Sequence, residues 1–137
     1  MKQFTLQNLT VRVSEDFNYI WVLLDEHTKS VEFIASLSDR EFRSQLMLRR
    51  VKNILLDCGR MLVFSIPDMN EFLDTAFVEM MRACGVEKVS IIINEEVFSI
   101  MSGFLKIVEE NHQQQAPQIR FFDTVSFYNS FDSVSWF

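Results

Sequence analysis

Cys58 and Cys84 are the only thiols of this chain and His27 and His112 its only imidazoles, set among nineteen acidic residues. A thiolate can attack an electrophile or bind a soft metal, and an imidazole can move a proton near neutral pH. The spacing argues against both. Each cysteine stands just ahead of a glycine, Gly59 or Gly85, at the end of a predicted helix. Two such isolated thiols are too few for a disulfide framework or a thiolate metal site, and they read as buried packing groups. His27 falls in a turn between predicted strands and His112 at a helix end, so neither has the enclosed setting of a general base. Asp57, Asp68, Asp74 and Asp123 could pair around a divalent cation, but helix caps and solvated faces account for carboxylates in such places. The chain contains no Gly-rich phosphate loop, HExxH, paired CxxC or nucleophile elbow. No catalytic residue, cofactor or metal ligand is therefore assigned.

The elements that would position these residues are easier to read. Leu9, Val11 and Val13 alternate with polar residues, Tyr19 to Leu24 form a fuller apolar run, and Val31 to Ala35 give a third segment. Short polar connections join them as antiparallel strands. Ser38 with Glu41 is a capping box, and it predicts a helix that runs to Gly59 with Phe42, Leu46, Val51, Ile54 and Leu55 inward. Three compact apolar runs follow, at 62–66, 89–93 and 118–122, separated by helix-period stretches. That alternation predicts parallel strands joined by crossover helices. The first such helix, 69–84, is capped by Asp68 and Glu71 and carries Phe72, Leu73, Ala76, Met80 and Cys84 on one face, with Phe77 and Met81 widening it. The second, 96–111, places Met101, Phe104, Leu105 and Val108 inward. A last helix, capped by Asp123 and Ser126, carries Phe127, Phe131, Val134 and Trp136. The expected core includes Val63, Phe72, Ile91, Ile93, Leu105 and Phe121.

Composition bounds the class. The 137 residues suit a single domain, 1–137, and 48% hydrophobic content with few Gly or Pro opposes disorder. A net charge of -6 opposes general attraction to nucleic acid or anionic membranes. No apolar stretch approaches a membrane span or signal segment, so a cytoplasmic setting is the default expectation.

The element order, ending in Arg120-Phe121-Phe122-Asp123-Thr124 and Ser133-Val134-Ser135-Trp136-Phe137, resembles STAS-like domains related to bacterial anti-sigma-factor antagonists. The similarity is to a divergent branch with a terminal "RyFdt…A…WL" pattern, and it spans most of the chain. It implies an α/β fold: a mixed four- or five-stranded sheet packed against about four helices. It also implies a regulatory role, in which a Ser or Thr at the start of the helix after the central strand is phosphorylated to control binding of a kinase or anti-sigma factor. Asp74-Thr75 is the nearest match to that switch, and Ser65 stands where the family carries a strand-end aspartate. A phosphate suits a helix amino terminus, whereas the Asp68 and Glu71 cap puts Thr75 inside the helix, where a structural role is the simpler reading.

Phe77 and Met81, on a second side of their helix, are candidates for a partner or homodimer surface, with core packing as the competing reading. The function expected is a noncatalytic protein-interaction or regulatory domain, self-association included. The alternative is binding of a small apolar or lipid-like ligand in an interior supplied by fourteen Phe. The closing aromatics generate one stability prediction. If the last helix is docked with Trp136 buried, Trp136→Ala costs roughly 3–5 kcal/mol in thermal or denaturant unfolding. An intermolecular role would make that loss concentration-dependent, and no loss at any concentration would contradict both.

Overall fold

A computed structural model describes residues 2–6, 9–14, 19–23, 40–58 and 76–124. Their elements are β1 (Lys2–Leu6), β2 (Leu9–Ser14), β3 (Tyr19–Leu23), α1 (Arg40–Arg49), β4 (Asn53–Asp57), α2 (Ala76–Ala83), β5 (Lys88–Ile93), α3 (Glu95–Asn111) and β6 (Gln118–Asp123). All six strands lie in one sheet whose spatial order follows the chain. β1, β2 and β3 form an antiparallel meander, and β3 through β6 are parallel. The sheet is mixed and the architecture α/β, as the sequence predicts, but the described sheet has six strands against three described helices, where four or five strands and about four helices are expected, and neither β1 nor β4 is among the predicted strands.

Consecutive parallel strands laid down in one direction put their crossover helices on one face, because such crossovers are right-handed. The packing agrees. Leu46 of α1, Val78 and Met81 of α2, and Met101, Leu105 and Val108 of α3 share one core cluster with Val11, Ile20, Ile54, Leu56, Val89, Ile91, Ile119 and Phe121. The alternate residues of the strands point the other way. There Leu55 and Ile92 are fully buried, with Trp21 and Phe122 packed against them, and Arg12 lies 5.8 Å from the Trp21 ring centre. No described helix contributes to this second cluster.

The largest departure from expectation is β4. The helix predicted to run to Gly59 ends at Arg49, and Val51, Ile54 and Leu55 belong to a loop and a strand. Cys58 accordingly follows a strand and does not sit in a helix turn. The stop is a Schellman motif: Arg50 N–H donates to Met47 O at 3.3 Å, and Val51 N–H donates to Leu46 O at 3.3 Å. Arg50 occupies the left-handed position, with φ 50, and the buried pair Leu46 and Val51 makes the apolar contact that accompanies this cap. α2 ends identically. Gly85, at φ 81, donates to Arg82 O at 3.1 Å, and Val86 donates to Met81 O at 3.0 Å. Gly85 is thus the terminator the sequence indicated, and its buried apolar pair is Met81 and Val86.

The expected core members Ile91, Ile93, Leu105 and Phe121 are buried. Among the described side chains of α2, Val78 and Met81 are buried and Met80 is only partly covered, as is Cys84 just after the helix, so these place the inner face on a different side from the one expected. The expected strands at 31–35 and 62–66, the closing helix, and Val63, Phe72 and Trp136 lie outside the described residues. The paired caps generate a prediction. A non-glycine residue in the left-handed region costs roughly 1–2 kcal/mol, partly offset by glycine's extra chain entropy. Arg50→Gly should therefore raise the unfolding free energy by about 0.5–1 kcal/mol, while Gly85→Ala should lower it by about 1 kcal/mol, both measured by urea denaturation.

Candidate interaction surface

Ligands of open parallel sheets gather outside the carboxyl ends of the strands. Here those ends bring together Asp57 and Cys58 after β4, Asn94 after β5 and Asp123 on β6. Asp57 is buried, and Cys58 is tied in by its backbone N–H, which donates to Ile92 O at 2.9 Å. Burial, and secondarily the neighbouring Asp57 carboxylate, push the Cys58 thiol well above its ordinary pKa. It stays protonated and is not a nucleophile near neutral pH. The Asn94 side-chain oxygen accepts the Glu96 N–H at 2.9 Å, capping α3. Among the described residues, no group of three or more His, Cys, Asp or Glu side chains could hold a metal ion. This end of the described sheet holds the strands and α3 in place.

The more open surfaces belong to α3. Its inner side carries Met101, Leu105 and Val108. A quarter turn away, Ile100 is 85% and Ile107 56% exposed. Between them Gly103 has open space where a side chain would stand, and the partly buried Phe104 links this ridge to the core. These two large exposed aliphatics stand two turns apart on one side of the helix and form an apolar ridge. On α1, Met47 and Leu48 are likewise exposed.

The opposite flank of α3 faces β6. There the Phe121 N–H donates to Glu109 Oε1 at 2.8 Å. A cleft of about 440 Å³ opens beside this contact, lined by Glu109, Gln113, Gln114, Gln118, Ile119 and Arg120. Gln118 Nε2 donates to Gln113 O at 3.2 Å, and Arg82 Nε of α2 donates to Ala116 O at 3.0 Å. The lining is chiefly polar.

Of the residues singled out in the sequence, Thr75, Asp74, Ser65 and His27 lie outside the described residues, as does the side chain of Phe77. Met81 is fully buried in the core of this chain, which gives it the packing role and leaves no exposed surface for a partner. His112 is the residue that closes α3. Neither the α3 ridge nor Glu109 is marked by residue type in the sequence; the helical offset of Ile100 and Ile107 from Met101 and Leu105 is the signal that carries the ridge. No described helix is long and apolar enough to cross a membrane. No family model matches the chain, and none of the curated proteins or solved structures does.

Cys58 generates a pH prediction. Its raised pKa means that the folded state keeps a proton that the unfolded state releases as pH climbs past the ordinary thiol range, so this contribution to stability is present below that range and is lost above it. Unfolding free energy should fall with a slope approaching 1.4 kcal/mol per pH unit, about one proton, beyond roughly pH 9. Cys58→Val should remove that component of the alkaline decline. An unchanged alkaline slope in the variant would show that the thiol is not the group responsible.

Proposed function

We propose that this chain is a noncatalytic interaction module that works by presenting a helical surface to a protein partner, a second copy included. The observation that supports this reading is the Ile100 and Ile107 ridge on α3, where two large aliphatic side chains are exposed beside an unoccupied glycine position. Burying such side chains against a partner gains about 1.5–3 kcal/mol each, and a glycine between them lets another backbone approach closely. The STAS-like resemblance of the sequence points to the same class of activity, since those domains regulate by binding other proteins. The described cleft beside β6 is polar, and so lends no support to the apolar-ligand alternative.

Charge placed on the ridge separates a working surface from an inert one. Ile100→Glu should leave the thermal midpoint within the change typical of surface substitutions, about 0.5 kcal/mol. It should abolish whatever association the parent shows in affinity capture and sedimentation. A parent that recovers no protein and sediments as a monomer at every concentration, indistinguishable from Ile100→Glu, would contradict the reading.

A further inference from the structure

We propose that α1 of one copy of this chain docks on α3 of the next, so that the protein associates with itself head to tail. The inference rests on the reading of the α3 ridge as an interaction surface and names what covers it. On α3, Glu96, Ile100, Gly103, Ile107 and Glu110 follow one another at steps of three and four residues and so form one stripe. Its centre is apolar with open space at Gly103, and an exposed carboxylate stands at either end. α1 carries the converse stripe. There Arg43, Met47 and Arg50 follow at steps of four and three, all exposed, with the exposed Leu48 beside them. Among the described residues, no side chain pairs with Arg43, Arg50, Glu96 or Glu110.

The two stripes match in dimension as well as in charge. Ile100 and Ile107 stand about 10 Å apart along the helix axis with Gly103 midway, which leaves room for one side chain of a facing helix. Met47, unbranched and adaptable, suits that gap. With Met47 seated there, Arg43 and Arg50 lie about 5 Å to either side and Glu96 and Glu110 about 10 Å, a difference that an extended Arg side chain spans. The match holds whichever way α1 runs. Pairing of like surfaces is worse. Two α3 helices that seat Ile100 against Ile107 run antiparallel and bring Glu96 of one beside Glu110 of the other, while in parallel each carboxylate meets its own counterpart. Two α1 helices oppose arginines in the same way. Lys106 does not relieve the α3 pair, since it stands roughly 100–120° round the helix from the two isoleucines. α1 and α3 belong to the β3–β4 and β5–β6 crossovers, with that of α2 between them, so the complementary surface comes from a second copy. Such a contact is heterologous, and it continues past a dimer or closes as a ring.

Sedimentation velocity of the full chain and its variants, alone and mixed, tests this. The parent should form species beyond the dimer as concentration rises, and added salt should weaken them. Met47→Glu and Ile100→Glu should each sediment as monomers. Their equimolar mixture should give a one-to-one dimer and nothing larger, because Ile100→Glu keeps an intact α1 and Met47→Glu an intact α3. A charge exchange covers any disturbance of a helix by these changes: Arg43→Glu with Arg50→Glu should weaken self-association at least about tenfold, and mixing with the Glu96→Lys, Glu110→Lys protein should restore it. A monomeric parent, a Met47→Glu protein that still self-associates, or a mixture of the two single variants that stays monomeric would overturn the proposal. A monomeric parent that captures another protein through Ile100 would overturn the head-to-tail contact alone. Failure of the ridge itself shows differently, as association and capture that Ile100→Glu leaves unaltered.

Discussion

β4 is buried on both faces, and that constraint organises the described fold. Ile54 and Leu56 are fully buried on the helix side, and Leu55 is fully buried on the other. A strand with no solvated face cannot leave backbone groups to water, so it must be paired along both edges. β3 and β5 supply those pairs in parallel register. Parallel pairing in turn demands crossovers, and the crossovers place α1, α2 and α3 over one face of the sheet. The large core cluster is the consequence.

How each crossover returns to the sheet is set by one repeated device. α1 and α2 both finish in a Schellman cap whose apolar partners, Leu46 with Val51 and Met81 with Val86, belong to the core. Two residues later each chain enters a strand, β4 or β5. The start of β5 is also fixed against the residue preceding β4, since Glu87 and Lys88 N–H groups both donate to Lys52 O. The exposed Lys52 and Glu87 ion pair across this junction, at 4.0 Å, adds little by comparison. α3 departs from the pattern. It is longer, has its own Asn94 cap, and carries Glu109, whose carboxylate accepts a backbone N–H of β6. One helix thus offers an apolar ridge on one flank and a polar contact on the other.

The parts of this arrangement that were legible in the sequence are those whose periodicity had only one physical reading. Val89 to Ile93 is too short and too β-branched for a helix. Gly85 is the residue that tolerates a left-handed cap best. β4 was illegible because Phe42, Leu46, Val51, Ile54 and Leu55 continue a helix-like spacing straight through the junction. The break is carried by Arg50, a residue with no left-handed preference, whose conformation is imposed by burying Leu46 and Val51 together. The run Asn53-Ile54-Leu55-Leu56-Asp57, three apolar residues between two turn formers, was the available hint. β1 is weakly marked in the sequence although Phe4 and Leu6 alternate with polar neighbours, because an edge strand gains its order from its partner. The surface features were harder still, since exposure of Ile100 depends on which side of α3 the sheet takes.

The identity of residues 53–57 is the claim on which the rest depends, and NMR reads it directly. Backbone chemical shifts of Asn53 to Asp57 should be those of a strand, with inter-strand contacts placing Leu55 beside Trp21 on one side and Ser90 on the other, and with amides of Leu55 and Ile91 among the slowest to exchange. Continuous helical shifts from Arg40 through Cys58, with sequential helix contacts across Arg50, would contradict it.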